Sequence, residues 1–414
     1  MRGMPVHVFK NLVFRAIRRA AVTLISILFL PLWFSERLIP RKKTLWVFGS
    51  FDGKGFTDNS RSFFEYMQKN HSEIKCAWIT RSRDVCSLLR SYGFKCEMAY
   101  SLKGWLLQLF AGAFFNDHGN GDYNYHALNG AKIVSLWHGM PMKKMGVLYD
   151  EYLMGKKFLL FRTRFSWVLF PWRRKNFSLV PVLSEFFIPY LQASFGTPFG
   201  KLMRKERFQV LGLPRNDALL SHGRNLFVEK IRGEFPQSTV VFYLPTFRLA
   251  MYTDEPFNPF CPQFGFDEKE FSSFLERNNV VFLYKPHPYE TFRCDSKIPR
   301  FKVLGEGDVL NLYEFLAYVD VLLTDYSSVY FDFKITGKPV ALLPFDFESY
   351  VSIRGLFFDY WNEIPDFKAR SWRELYAGVE EGKIVATDEK KFNYFFDASS
   401  SERVFDSVKR LLKI

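Results

Sequence analysis

Two histidines stand in settings that suit proton and phosphate chemistry. His138 lies in Trp137-His138-Gly139-Met140-Pro141-Met142-Lys143, where Gly and Pro make a tight turn that projects the imidazole. Histidine is the side chain that exchanges a proton near neutral pH, although an ordinary turn histidine has the same neighbours. His287 lies in Lys285-Pro286-His287-Pro288. Prolines on both sides fix the backbone, and an imidazole beside an ammonium suits a pyrophosphate or a departing phosphate. The plainer reading is a rigid loop facing solvent. A third stretch runs from Asp320 to Phe333. Val321-Leu322-Leu323 reads as a buried parallel strand that stops at Thr324-Asp325. Ser327 and Ser328 then open a helix that ends at Gly337, before Lys338-Pro339. Strand, turn and serine-capped helix aim N–H groups, hydroxyls and a helix dipole at one point, the geometry that binds phosphate. A plain N-cap uses the same residues.

Other polar residues recur after apolar runs. Arg248 ends Pro245-Thr246-Phe247-Arg248, and Arg215 sits in Gly212-Leu213-Pro214-Arg215-Asn216-Asp217. Downstream, Asp346, Tyr350, Arg354, Gly355 and Asp359 form a polar run placed to close over a ligand. The loop Asp117-His118-Gly119-Asn120-Gly121-Asp122 is suggestive, yet such Gly/Asn-rich segments are usually turns. No Asp-x-Asp pair or His/Asp cluster has metal-ligand spacing, so no metal is assigned.

The elements that must position these residues follow an α/β rhythm from Thr44 onward. Strands are expected at 45–49, 75–80, 94–99, 113–116 and 132–136, with helices such as 60–69 and 84–92 between them. A strand-helix unit at 180–195 and a strand ending at Leu211 close a first domain, 44–230, which carries a basic aromatic insertion at 150–178. A second series follows at 240–244, 280–284, 302–304, 321–324 and 340–343, giving a domain 231–414 whose C-terminal helix is able to pack back on the first. The expected fold is α/β: two facing Rossmann-like domains with ligands at the carboxyl ends of both sheets.

The chain of 414 residues is 48% hydrophobic and 19% aromatic, which makes it globular. Its net charge of +14 is local. Residues 1–43 hold nine Lys/Arg against Glu36 alone, and residues 156–177 hold seven with no acid. Such placement points to an anionic surface. The absence of helix-turn-helix, zinc-finger and RNP patterns argues against nucleic acid. In 8–20, Phe9, Leu12, Val13, Ala16, Ile17 and Ala20 share one helical face opposite Arg15, Arg18 and Arg19. The apolar run Ala20–Phe34 is short of the ~20 residues of a span. An N-terminal membrane-associating helix (1–43) on the cytoplasmic face is expected, with a single span as the alternative. Five cysteines without a Cys-x-x-Cys pair read as reduced thiols.

In order, the segments 137–143, 212–217, 245–248, 285–288, 323–333 and 354–359 resemble the CDP-glycerol glycerophosphotransferase family, which includes the primases and polymerases of wall teichoic acid. The resemblance implies a GT-B-like fold, a CDP-alditol donor, a lipid-linked or polymeric acceptor, no cofactor, and a cytoplasmic membrane face. It implies His138 as catalytic base and His287 as its catalytic partner on the pyrophosphate. Ser327, Ser328, Arg248, Lys285, Asp325, Arg215, Asp332 and Arg354 are the implied donor-binding set. The family usually has Thr in the place of Met140. A nucleotide-sugar glycosyltransferase or epimerase, or a non-catalytic membrane scaffold, are the alternative readings of the same architecture. Glycerol or ribitol, primase or polymerase, and oligomeric state stay open.

Overall fold

The computed structural model describes residues 30–149, 176–197, 199–220, 225–248, 257–286, 298–305, 307–309, 311–388 and 390–414, with single positions 24, 27, 28, 167, 170 and 174. The amphipathic stretch 8–20, most of the insertion 150–178, and His287 lie outside the described residues.

Two parallel sheets form the molecule. The first has strands β1 (Lys42–Phe48), β2 (Lys75–Thr80), β3 (Cys96–Met98), β4 (Ala111–Asn116) and β5 (Lys132–Ser135) in the order β3-β2-β1-β4-β5. Register is set by pairs such as Trp46 with Cys76 and Phe48 with Phe115. Two short strands, β6 (Val180–Val182) and β7 (Phe208–Val210), pair with each other, and a bridge from Leu179 to Val134 joins them to β5. The second sheet has β8 (Thr239–Tyr243), β9 (Val280–Tyr284), β10 (Phe301–Val303), β11 (Val321–Thr324), β12 (Val340–Leu342) and β13 (Phe367–Lys368), in the order β10-β9-β8-β11-β12-β13. Its central strands are continuous apolar runs because helices cover both faces.

Aromatic packing holds the layers together. Phe48 stacks on Phe115 at 4.6 Å inside the first sheet's core. The C-terminal helix Ser400–Leu412 returns to that sheet, with Val404, Phe405 and Val408 buried in the same cluster as Trp46. Asp217 fastens its start, accepting from the Ser400 and Ser401 N–H groups at 2.8 Å each. Across the two halves, Phe187 meets Phe331 at 4.8 Å.

The helix after Ser328 differs from the expected one. It has five α-helical residues, Val329–Phe333, then a 3₁₀ turn, Lys334–Thr336, ending at Gly337 with φ +67°. Lys334 is turned inward here, its ammonium 3.0 Å from buried Asp366. Neither serine caps as the motif suggests: Ser328 takes no backbone N–H with its side chain, and Ser327 Oγ accepts from Val329 N only at 3.4 Å. Among the described residues, no helix is long and apolar enough to cross a membrane.

Candidate active site

His138 follows β5 on a strained turn, Trp137 having φ +55° and Gly139 φ +122°. Asn59, in the helix Asp58–Asn70, holds this turn by donating to the Trp137 carbonyl at 2.7 Å. His138 Nδ1 lies 3.0 Å from the backbone carbonyl of Asp117. A carbonyl only accepts, so Nδ1 carries the proton and Nε2 keeps a lone pair. The Asp117 carboxyl accepts from both the N–H and the hydroxyl of Ser60 at 2.9 Å, and burial raises its pKa well above the carboxylate range. Burial, then the neighbouring His118, pushes His138 down to about 4, so the imidazole is neutral at physiological pH.

A cleft of about 270 Å³ separates the halves. Thr57, Asp58, Arg61 and His138 line one side; Tyr313, Ser327 and Ser328 line the other. Gly139 brings the walls close. A Cβ there would lie 2.5 Å from Ser328 Oγ and 2.7 Å from Arg215 Nη2. Only a residue without a side chain fits.

Arg215 is buried in the cleft floor, bridging Asp58 and Asp332 at 2.6 Å each under the ring of Tyr313. Burial opposes its charge, but the two carboxylates outweigh burial and raise its pKa. Asp332 also accepts from Asn216 Nδ2 at 3.1 Å and from the Tyr313 hydroxyl at 2.7 Å. Arg248 is engaged in the same way, with Asp325 and Asp346 both at 2.8 Å. Asp325 accepts the Thr246 N–H at 2.7 Å as well, which fixes the turn before Ser327.

Lys143 and Arg354 meet next to this second cluster. The segment after His138 is strapped to the far half, where Lys144 N–H donates to the Gly355 carbonyl at 3.1 Å and Lys143 pairs with Leu356. Arg354 lies over the Tyr149 ring at 4.1 Å. Burial, then repulsion from Arg354, lowers Lys143 to about 8. Repulsion between the two cations is relieved by an anion near both. Lys285 follows β9 directly, its N–H bonded to the Tyr243 carbonyl at 3.1 Å.

The structure therefore gathers His138, Arg215, Asp332, Ser327 and Ser328 at one cleft and sets Arg248, Asp325 and Arg354 behind it. Asp58, Asn59, Tyr313 and Lys143 are given no role by the sequence reading. The first three carry no local signal; Lys143 stood at the end of a motif and was visible. Among the described residues, no three His, Cys, Asp or Glu side chains converge as a metal requires.

Paired parallel sheets with polar residues after their strands, facing one cleft, are those of a transferase with a GT-B-like fold. The wall teichoic acid polymerase TagF shares this fold, with a TM-score of 0.70, 18% identity and 99% of each chain covered. Residues 32–410 match the model of the CDP-Glycerol:Poly(glycerophosphate) glycerophosphotransferase family, and the chain belongs to that family. Its relatives include a teichoic acid glycerol-phosphate transferase of Staphylococcus aureus, 26% identical over 88% of this chain and 93% of that protein. A teichoic acid poly(glycerol phosphate) polymerase of Bacillus subtilis is 24% identical over 90% of this chain, which spans only 50% of the polymerase.

Proposed function

We propose that this enzyme transfers glycerol phosphate from CDP-glycerol to a hydroxyl of a lipid-linked or polymeric acceptor in teichoic-acid-type synthesis, while bound peripherally to the cytoplasmic face of the membrane. The observation that carries the reading is His138, with its Nδ1 proton committed to the Asp117 carbonyl and its ring on the wall opposite Ser327 and Ser328. The acceptor O–H gives its proton to Nε2, its oxygen bonds to the β-phosphorus, and the bond from that phosphorus to the CMP oxygen breaks. CMP leaves with the electron pair. A neutral imidazole with a pKa near 4 is a weak base in the free enzyme. An anionic pyrophosphate seated beside it favours imidazolium and strengthens the base as the donor binds.

The two serine hydroxyls, Lys143, Lys285 and Arg354 bind the pyrophosphate; His287, expected beside them, belongs to the same set. Arg215 and Arg248, each paired with two carboxylates, act by holding the walls and the 325–328 turn in place. Phosphoryl transfer depends mainly on positioning and charge, and no cofactor enters. The basic N-terminal segment and the insertion supply the membrane contact.

The test is CMP release from CDP-glycerol with a detergent-solubilised lipid-linked acceptor, followed alongside ³¹P signals of a new phosphodiester. Acceptor-dependent release that falls at least a hundredfold in His138→Ala supports the reading. No release from CDP-glycerol or CDP-ribitol with any acceptor overturns it.

A further inference from the structure

A second pocket, of about 400 Å³, lies at the opposite end of β5 from His138. Ala131 and Ile133 line it where the strand begins, and the helix Leu30–Ser35 forms one wall through Trp33. Five cations face it: Arg37, Arg174, Lys201, Arg204 and Arg207. No carboxylate is among its described lining residues. Glu206 approaches Arg204 at 3.4 Å, but both are exposed, and such a pair holds little.

The pocket is built rather than incidental. Arg37 Nε donates to Asn129 Oδ1 at 3.0 Å, and Asn129 Nδ2 donates to the Trp33 carbonyl at 2.7 Å. Arg207 donates to Asn176 Oδ1 at 2.8 Å and to the Phe177 carbonyl at 2.7 Å. The Arg174 guanidinium stacks on Trp167 at 3.9 Å. Exposed Leu202 lines the same pocket, exposed Phe199 lies 5.5 Å from the lining Trp167, and exposed Phe34 and Leu38 directly follow the lining residues Trp33 and Arg37 in the chain, forming an apolar rim. A free phosphate or a sugar phosphate uses the cations and leaves that rim in water. A phospholipid uses both, phosphate in the pocket and acyl chains along the rim.

We propose that this pocket binds the phosphate of an anionic membrane phospholipid and thereby fixes how the enzyme sits on the bilayer. The inference rests on the reading of a membrane-associated enzyme, but its test needs no turnover, so the two fail separately.

The full chain is sedimented with phosphatidylcholine vesicles, with and without phosphatidylglycerol. Wild type is expected to prefer the anionic vesicles. Lys201→Gln/Arg204→Gln lowers that partition by roughly fivefold for each charge removed. Ala131→Phe, which fills the pocket without changing charge, lowers it several-fold. Lys230→Gln/Lys269→Gln, at exposed lysines outside the pocket lining, stays within about twofold of wild type, a change too small for loss of a seated headgroup. Equal binding to both vesicle types overturns the proposal. So do matching losses in the Lys201/Arg204 and Lys230/Lys269 variants, or displacement by millimolar inorganic phosphate. Should Ala131→Phe fail to fold, the Lys201/Arg204 comparison decides alone.

Discussion

The imidazoles of His118 and His138 lie face to face, 9° from parallel with centroids 4.6 Å apart. Two rings so placed resist a shared charge, which adds to burial in holding His138 near 4. His118→Phe keeps the stack and removes the titrating partner. The acid limb of kcat/KM for CMP release should then move to higher pH, toward the ordinary histidine value of about 6.5, with the rate above pH 7 little changed. His118→Ala admits water and should move it further. The folded state binds the His138 proton less readily than the unfolded chain does. The stability it confers is full above about pH 6.5 and is lost as pH falls toward 4. An acid limb that stays put in both variants would leave burial by the rest of the site as the sole cause.

Arg215 ties Asp58 of one half to Asp332 of the other. Arg215→Ala leaves both carboxylates without their cation, one of them fully buried, and is expected to cost about 3–5 kcal/mol in urea unfolding. Asp332→Asn leaves Arg215 paired with Asp58 and should cost clearly less. Equal losses would mean that the cross-domain bond carries the whole effect.

Gly139 is where the walls touch. Gly139→Ala places a Cβ against Ser328 and demands a φ of +122° that alanine rarely adopts. CMP release should fall by about a hundredfold or more, on the scale of losing a well-placed catalytic group. Because part of the clash is with the Ser328 side chain, the double variant Gly139→Ala/Ser328→Gly should regain some of the stability lost in urea unfolding though not the activity, a coupling measurable in a double-mutant cycle. No recovery would place the fault in the backbone or in the contact with Arg215.

The extent to which the site was legible follows from what each feature depends on. Strands β2, β9 and β11 match the ranges expected from the sequence, since a strand covered on both faces is a bounded apolar run. The turns after β5 and β11 announced themselves through Gly, Pro and Ser. The ion pairs did not. Asp58 meets Arg215 across 157 positions and Asp332 meets it across 117, separations at which local pattern carries no information. For the same reason Arg215 and Arg248 read as donor-binding cations, whereas each is paired with two carboxylates. The helix after Ser328 ends at Gly337 as expected, but the sequence does not show that its last turn, Lys334–Thr336, is 3₁₀.

Met140 marks the departure from the family's Thr, and its surroundings say how a reversion should behave. It stands two residues after His138, yet it is fully buried in the cluster that contains Trp137, Met142 and Phe195. A side chain aimed into that core touches no acceptor. Met140→Thr therefore removes packed volume and brings a hydroxyl into an apolar setting, at an expected cost of about 2–4 kcal/mol in unfolding. It should not raise the rate of CMP release, and any loss of rate should be recovered by lowering the temperature, as for a variant that is merely less stable. A faster enzyme of unchanged stability would mean that position 140 does face the substrate, and Met140 would then be the residue that tunes which acceptor is used.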